Sequence, residues 1–172
     1  LAASLQATKR RVLLIDLDPQ GNATMGSGIN KSDLERSMYD VLMQECSAAD
    51  AILETPAGFH ILPANGDLTA AEIALLSADE REMRLRKILK TINSDYDFVV
   101  IDCPPSLNML TLNALVAADG VIIPMQCEYY ALEGLSALVE TISAISSTLN
   151  PQLQIEGILR TMYDPRSKLT LE

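Results

Sequence analysis

The chain has no tryptophan, two phenylalanines, one histidine, three cysteines, eight glycines and eight prolines in 172 residues. So little glycine and proline, with no repeating bias, excludes collagen-like and low-complexity chains. The cysteines, Cys46, Cys103 and Cys127, stand far apart with no CxxC pair and no adjacent histidine. That spacing argues against zinc and leaves three reduced, buried thiols in a cytoplasmic protein as the expectation. His60 sits in an apolar stretch and is read as a structural histidine with a partner rather than a catalytic one. No apolar run reaches the roughly 18 residues a membrane-spanning helix needs, because Asp119, Gly120 and Pro124 break the longest candidates. Basic residues are also short: 13 Lys and Arg face 23 Asp and Glu, for a formal charge of -10, and none falls between Cys103 and Leu159. That stretch cannot be a nucleic-acid footprint, since such affinity comes from neutralising phosphates.

What is present is a chain 48% hydrophobic and 21% charged, with the length and composition of one folded domain. Leu1 is not an ordinary initiator, and LAASLQAT reads as the end of an amphipathic helix already under way. Residues 1–172 are therefore read as a single, partial domain of a longer protein. Short aliphatic runs alternate with segments of helical period, which is the pattern of βαβ units. Strands are expected at Val12 to Asp16, Phe59 to Pro63, Phe98 to Asp102, Val121 to Pro124 and Ile155 to Thr161. Helices are expected at Asp33 to Gln44, Leu68 to Leu76, Asp79 to Ile92, Leu107 to Ala117, with Ser106 as its N-cap, and Tyr130 to Leu149. The near-continuous apolar strands predict an α/β fold, a doubly wound and mostly parallel sheet with helices on both faces. In the third helix Met83, Ile88, Leu89 and Ile92 form the buried stripe, and the run Arg81, Arg84, Arg86, Lys87 and Lys90 is read as a solvated face.

Open α/β sheets bind ligands at the carboxyl ends of their strands, and two strands end there in acids. The first runs LLIDLDPQGN, placing Asp16 and Asp18 before a Pro-Gly turn. The second runs FVVIDCPPS, delivering Asp102 before the rigid Pro104-Pro105 turn and Ser106, a Walker B arrangement. One such acid also arises as an ordinary turn or capping residue; two in this order are a stronger signal. Magnesium takes oxygen ligands and keeps several of its waters, and a strand-end carboxylate such as Asp102 can hold those waters. In-line attack on a γ-phosphate needs a water held opposite the leaving group. Asp18, on the loop beyond the strand, is the candidate for that task, and Asp16 is a possible member of the metal shell.

The segments LLIDLDPQGNAT, VVIDCPPSLNMLTLNALVAAD and PMQCEYYALEGL resemble the ParA/Soj family of chromosome and plasmid partitioning ATPases, from Leu1 to about Lys168. This is a branch of the deviant-Walker P-loop ATPases, which also hold the septum-site protein MinD, nitrogenase iron protein and cobyrinic acid a,c-diamide synthases. The resemblance implies ATP and Mg²⁺ as cofactors. By position Asp16 and Asp18 match switch I, Asp18 the acid associated with hydrolysis, and Asp102 the magnesium acid. Pro104, Pro105 and Ser106 match switch II, and Met162, Tyr163 and Asp164 fall in the segment near the adenine. It further implies a cytoplasmic, nucleoid-associated homodimer that binds DNA nonspecifically when ATP-bound and answers to a ParB-like centromere-binding partner, with no membrane contact.

The family's first strand and its Walker A lysines are expected before Leu1, so the 172 residues alone are expected to be inactive as an ATPase. The lookalike Gly26-Ser27-Gly28-Ile29-Asn30-Lys31-Ser32 has Asn30 where a glycine is required and no strand leading into it, and reads as a surface loop. Two other functions compete: an amide-forming synthase of the cobyrinic acid a,c-diamide type, which would need a glutaminase cysteine, and a noncatalytic scaffold.

Overall fold

In the computed structural model, which describes residues 1–126 and 129–162, the chain begins with a short helix, α1 (Ala2–Ala7), and enters β1 (Val12–Asp16). It continues through α2 (Asn22–Gly26), α3 (Met38–Leu42), α4 (Ala48–Ala51), β2 (Leu53–Glu54), β3 (His60–Leu62), α5 (Leu68–Leu75), α6 (Arg84–Ile92) and β4 (Phe98–Asp102). Then come α7 (Met109–Ala117), β5 (Gly120–Gln126), α8 (Tyr129–Thr148) and β6 (Gln154–Thr161). The chain divides into two compact units, Leu1–Ala114 and Leu115–Glu172.

The first unit holds a mixed four-stranded sheet in the order β2-β3-β1-β4. β1 lies between β3 and β4, parallel to both, and only the two-residue β2 runs antiparallel. Having a neighbour on each side explains why every β1 residue but Leu14 is buried. Side chains alternate across a strand: Val12 packs with Ala2 and Phe59 under α1, while Leu13 and Ile15, on the other face, have no exposed surface at all. Helices thus cover both faces, as expected. β4 is an edge among the described residues, and its apolar sequence leaves Phe98 44% exposed.

The second unit pairs β5 with β6 in parallel, with one irregularity between Val121 and Ile122. Asn150 is buried at the turn after α8, its Nδ2 donating to the carbonyls of Leu115 (3.0 Å) and Ala118 (2.7 Å). β6 keeps Ile155, Ile158 and Leu159 exposed.

Several helix starts differ from expectation because local backbone chemistry overrides the apolar period. The helix expected from Asp33 begins instead at Met38, where Ser37 and Asp40 form a reciprocal capping box. The one expected from Asp79 begins as helix only at Arg84, after Glu80 takes a left-handed φ of 48° and Arg81–Met83 form a 3-10 turn. Its core stripe is Leu85, Leu89 and Ile92, so Leu85 replaces Met83 and Ile88. α7 is capped by Asn108 and not Ser106: Asn108 Oδ1 accepts from the amides of Leu110 and Thr111, both at 3.0 Å. α2, α4 and β2 were not expected at all; each is five residues or fewer, too short to carry a period. His60 has the structural role expected of it, its Nδ1 2.8 Å from the Tyr96 hydroxyl with the rings edge to face. Cys46 and Cys103 are free thiols, but half-buried rather than buried; Cys127 lies outside the described residues.

Candidate active site

The acids that end β1 and β4 are direct neighbours: the parallel register sets Asp16 opposite Asp102, and the Leu17 amide donates to the Asp102 carbonyl at 2.8 Å. Asp16 has no exposed surface. Its Oδ2 accepts from both the amide (2.8 Å) and the hydroxyl (2.7 Å) of Thr24, and its Oδ1 accepts from the Asp18 amide (3.1 Å). Three donors on one buried carboxylate satisfy the rule that buried charge must be hydrogen-bonded. They also tie the strand end to both sides of the Asp18 loop.

That loop turns tightly. Asp18 Oδ1 accepts from the Gln20 amide (2.9 Å) and its carbonyl from the Gly21 amide (2.9 Å). No protein donor to Asp18 Oδ2 occurs among the described residues, so one oxygen of this half-buried side chain is uncommitted. Gly21 is left-handed (φ 61°), and a Cβ there would stand 2.7 Å from the Ala64 carbonyl oxygen. Only glycine meets both conditions. The Ala64 amide in turn donates to Thr24 Oγ1 at 2.9 Å, so the residues after β3 hold the loop from its far side. Lys31 Nζ donates to the Gln20 carbonyl at 2.5 Å. The GSGINKS segment is spent on this bracing: it holds the end of α2 and the 3-10 turn Lys31–Asp33, with no strand leading into it.

Asp102 stands at the solvent-reaching end of β4 with no side-chain hydrogen bond among the described residues. Burial, then the charges of Asp16 and Asp18, push its carboxyl above the usual carboxylate range. Next to it, burial and the same three carboxylates push the Cys103 thiol up to about 12, so it is a neutral side chain and not a nucleophile. Beyond lie buried Pro104 and exposed Pro105 and Ser106. The Thr111 hydroxyl donates to the Ser106 carbonyl at 2.7 Å, fastening this turn to the first turn of α7.

A family model for an AAA domain matches residues 1–155. The sporulation initiation inhibitor protein Soj of Bacillus subtilis is 48% identical over 173 residues, spanning 100% of this chain and 68% of its own length. The chain belongs to the ParA/Soj family. An uncharacterized protein of Pseudomonas putida is 67% identical over 170 residues, 98% of this chain and 65% of its own, so the chain spans about two thirds of the length of the curated relatives it matches. Among solved structures, the cobyrinic acid a,c-diamide synthase of Mycobacterium smegmatis with bound ATP analog and magnesium aligns with a TM-score of 0.95 at 43% identity. That alignment covers 99% of this chain and 70% of the other.

Of the residues singled out in the sequence, Asp16, Asp18, Asp102, Pro104, Pro105 and Ser106 all fall in the first unit, at or just beyond the ends of two paired strands. Met162 belongs to the second unit, at the end of β6, with φ 54° and 85% of its surface exposed. Tyr163 and Asp164 lie outside the described residues. Sequence reasoning missed Thr24 and Ala64. Thr24 sits in the ParA/Soj-like segment DPQGNAT, yet nothing local marks its partner forty positions later.

Proposed function

We propose that the full-length protein containing this chain is a Mg-ATP-dependent DNA-partitioning ATPase, whose nucleotide cycle drives homodimerisation and DNA binding in chromosome or plasmid segregation. The observation that carries the reading is the carboxylate trio at the ends of β1 and β4. Asp16 accepts three protein hydrogen bonds; among the described residues Asp18 keeps an oxygen free and Asp102 has no side-chain partner, and Asp102 is held above its usual range by burial and then by its neighbours' charge. A site so loaded with like charge calls for a cation. Among the described residues no cluster of three or more His, Cys, Asp or Glu side chains could hold a metal by itself. That donor set fits magnesium, which binds through one or two carboxylates together with waters and phosphates.

In this reading Asp102 would hold magnesium through water, with Asp16 beside it as an outer member, and the bound cation would supply neutralisation of phosphate charge. Asp18 orients the attacking water and accepts a hydrogen bond from it through its free oxygen. The Pro104-Pro105-Ser106 turn follows the presence of the γ-phosphate. The unpaired edge of β4, with Phe98 exposed, supports a further strand from before Leu1 that would carry the Walker A loop. Without that loop's backbone amides the 172 residues alone bind ATP poorly and are inactive. DNA and a ParB-like protein are the proposed partners, in the cytoplasm at the nucleoid. The DNA arm predicts a fall of log affinity with log salt at a slope of about 0.9 per phosphate neutralised.

The roles are tested in the full-length protein by comparing two variants. Asp18→Ala is expected to keep Mg-ATP affinity within about 3-fold while turnover drops by about 100-fold or more. Asp102→Ala is expected to weaken magnesium-dependent nucleotide binding itself. Equal loss of affinity in both would show the roles to be wrongly divided, and no ATP turnover in the parent would return the noncatalytic scaffold to the front.

A second reading, an amide-forming cobyrinic acid a,c-diamide synthase, is favoured by the Mycobacterium smegmatis structure. Against it, the Cys103 and Cys46 thiols are both pushed above the ordinary thiol range, opposite to what a glutaminase nucleophile requires. Glutamine-dependent amidation of cobyrinic acid by the full-length protein decides between them.

A further inference from the structure

We infer that Thr24 is a positioning residue of the hydrolytic site, locking the Asp16 carboxylate and through it the backbone of Asp18. The inference rests on the proposed role of Asp18, but part of its test does not. Thr24 has no exposed surface. A threonine hydroxyl has a single proton to donate, and here it goes to Asp16 Oδ2 at 2.7 Å, which leaves the hydroxyl oxygen to accept from the Ala64 amide at 2.9 Å. The Thr24 amide donates to the same Asp16 oxygen at 2.8 Å, while the opposite oxygen accepts from the Asp18 amide at 3.1 Å. A carboxylate is planar, so the torsion that Thr24 sets at Oδ2 also sets where Oδ1 holds the Asp18 backbone.

A helix-capping role does not account for this. α2 is capped at Gly21, and the Thr24 hydroxyl points away from its own helix to a strand-end acid and to the chain after β3. The result is one continuous path of hydrogen bonds, Ala64 to Thr24 to Asp16 to the Asp18 amide, ending at the backbone of the residue proposed to aim the water. Displacing such a group by about 1 Å typically costs on the order of 100-fold in rate.

The test uses the full-length protein with Thr24→Val, which keeps size and branching but removes the hydroxyl, and Thr24→Ser, which restores it. Thr24→Val is expected to lower kcat for ATP hydrolysis by about 10- to 100-fold with KM within about 3-fold, and Thr24→Ser to stay within about 3-fold of the parent. Hydrogen exchange at the Asp18 and Ala64 amides is expected to quicken in Thr24→Val by about 10-fold or more, with the β4 amides unchanged. A parental kcat in Thr24→Val, or an equal loss in Val and Ser, overturns the assignment. If the parent itself turns over no ATP, the ATPase reading fails separately, and unchanged exchange at Asp18 then overturns the positioning role by itself. Should Thr24→Val not fold, Thr24→Cys, with its weaker donor, carries the same comparison and is expected to give an intermediate kcat.

Discussion

Gly21→Ala places a methyl group where the structure leaves no room, and its cost can be worked from two separate terms. The first is backbone strain: at φ 61° an alanine occupies the left-handed region, about 1–2 kcal/mol less favourable for an L-residue. The second is overlap: the new Cβ would lie 2.7 Å from the Ala64 carbonyl oxygen. Ala64 cannot retreat freely, because its amide is hydrogen-bonded to Thr24 Oγ1 at 2.9 Å. Forced repacking of that kind costs typically about 1–3 kcal/mol, for a sum of about 2–5 kcal/mol. With a urea m-value of about 2 kcal/mol/M, the unfolding midpoint should fall by about 1–2.5 M. Gly26→Ala is the control: it ends α2 with nothing within 4 Å of a new Cβ, so it should be neutral or stabilising by up to about 1 kcal/mol. Gly28→Ala, left-handed at φ 82° but facing only Pro56 side-chain carbons, should fall between the two. Urea titration followed by circular dichroism reads all three. A Gly21→Ala midpoint within about 0.3 M of the parent, or an equal drop in Gly26→Ala, would refute the account of the loop.

Asn113→Ala should cost about 2–4 kcal/mol in urea unfolding, because this fully buried amide accepts from the Leu85 amide (3.1 Å) and donates to the carbonyls of Arg81 (2.8 Å) and Met109 (3.0 Å). Asp97, held down to about 2 from 3.8 by its hydrogen bonds with Arg11, binds its proton less tightly folded than unfolded, so its stabilising share is present above pH 3.8 and lost as pH falls through 2. Asp97→Asn should flatten the thermal midpoint across that window, and an unaltered acid profile counts against the pairing. Asp102 has the opposite sign: its raised carboxyl favours the folded state when protonated, and that share is lost as pH rises through the folded value. Asp102→Asn should therefore raise the Tm at pH 7 without nucleotide, and in the full-length protein remove the stabilisation given by magnesium with ATP; a lowered Tm would contradict the like-charge argument.

The sequence alone determined the parts of the fold that depend on neighbours in the chain. β1 and β4 lie residue for residue where their apolar runs end in acids, since strand formation and strand termination are both local signals. The ParA/Soj membership was legible for the same reason, in short contiguous segments. Helix starts were less so, because a capping box at Ser37 and a left-handed Glu80 act through single backbone bonds that leave no periodic trace. Only the tertiary structure decided which acids stand side by side and which hydrogen bonds each accepts. The register that sets Asp16 against Asp102 joins residues 86 positions apart, and the Asp102 carboxyl is raised because folding partly buries it and then brings the charges of Asp16 and Asp18 beside it. The tie from Ala64 through Thr24 to Asp16 likewise spans 48 positions and passes through one buried hydroxyl oxygen. Hydrogen bonds and charge repulsion depend on distance in space, and a pattern of residue types along a chain carries no such distance.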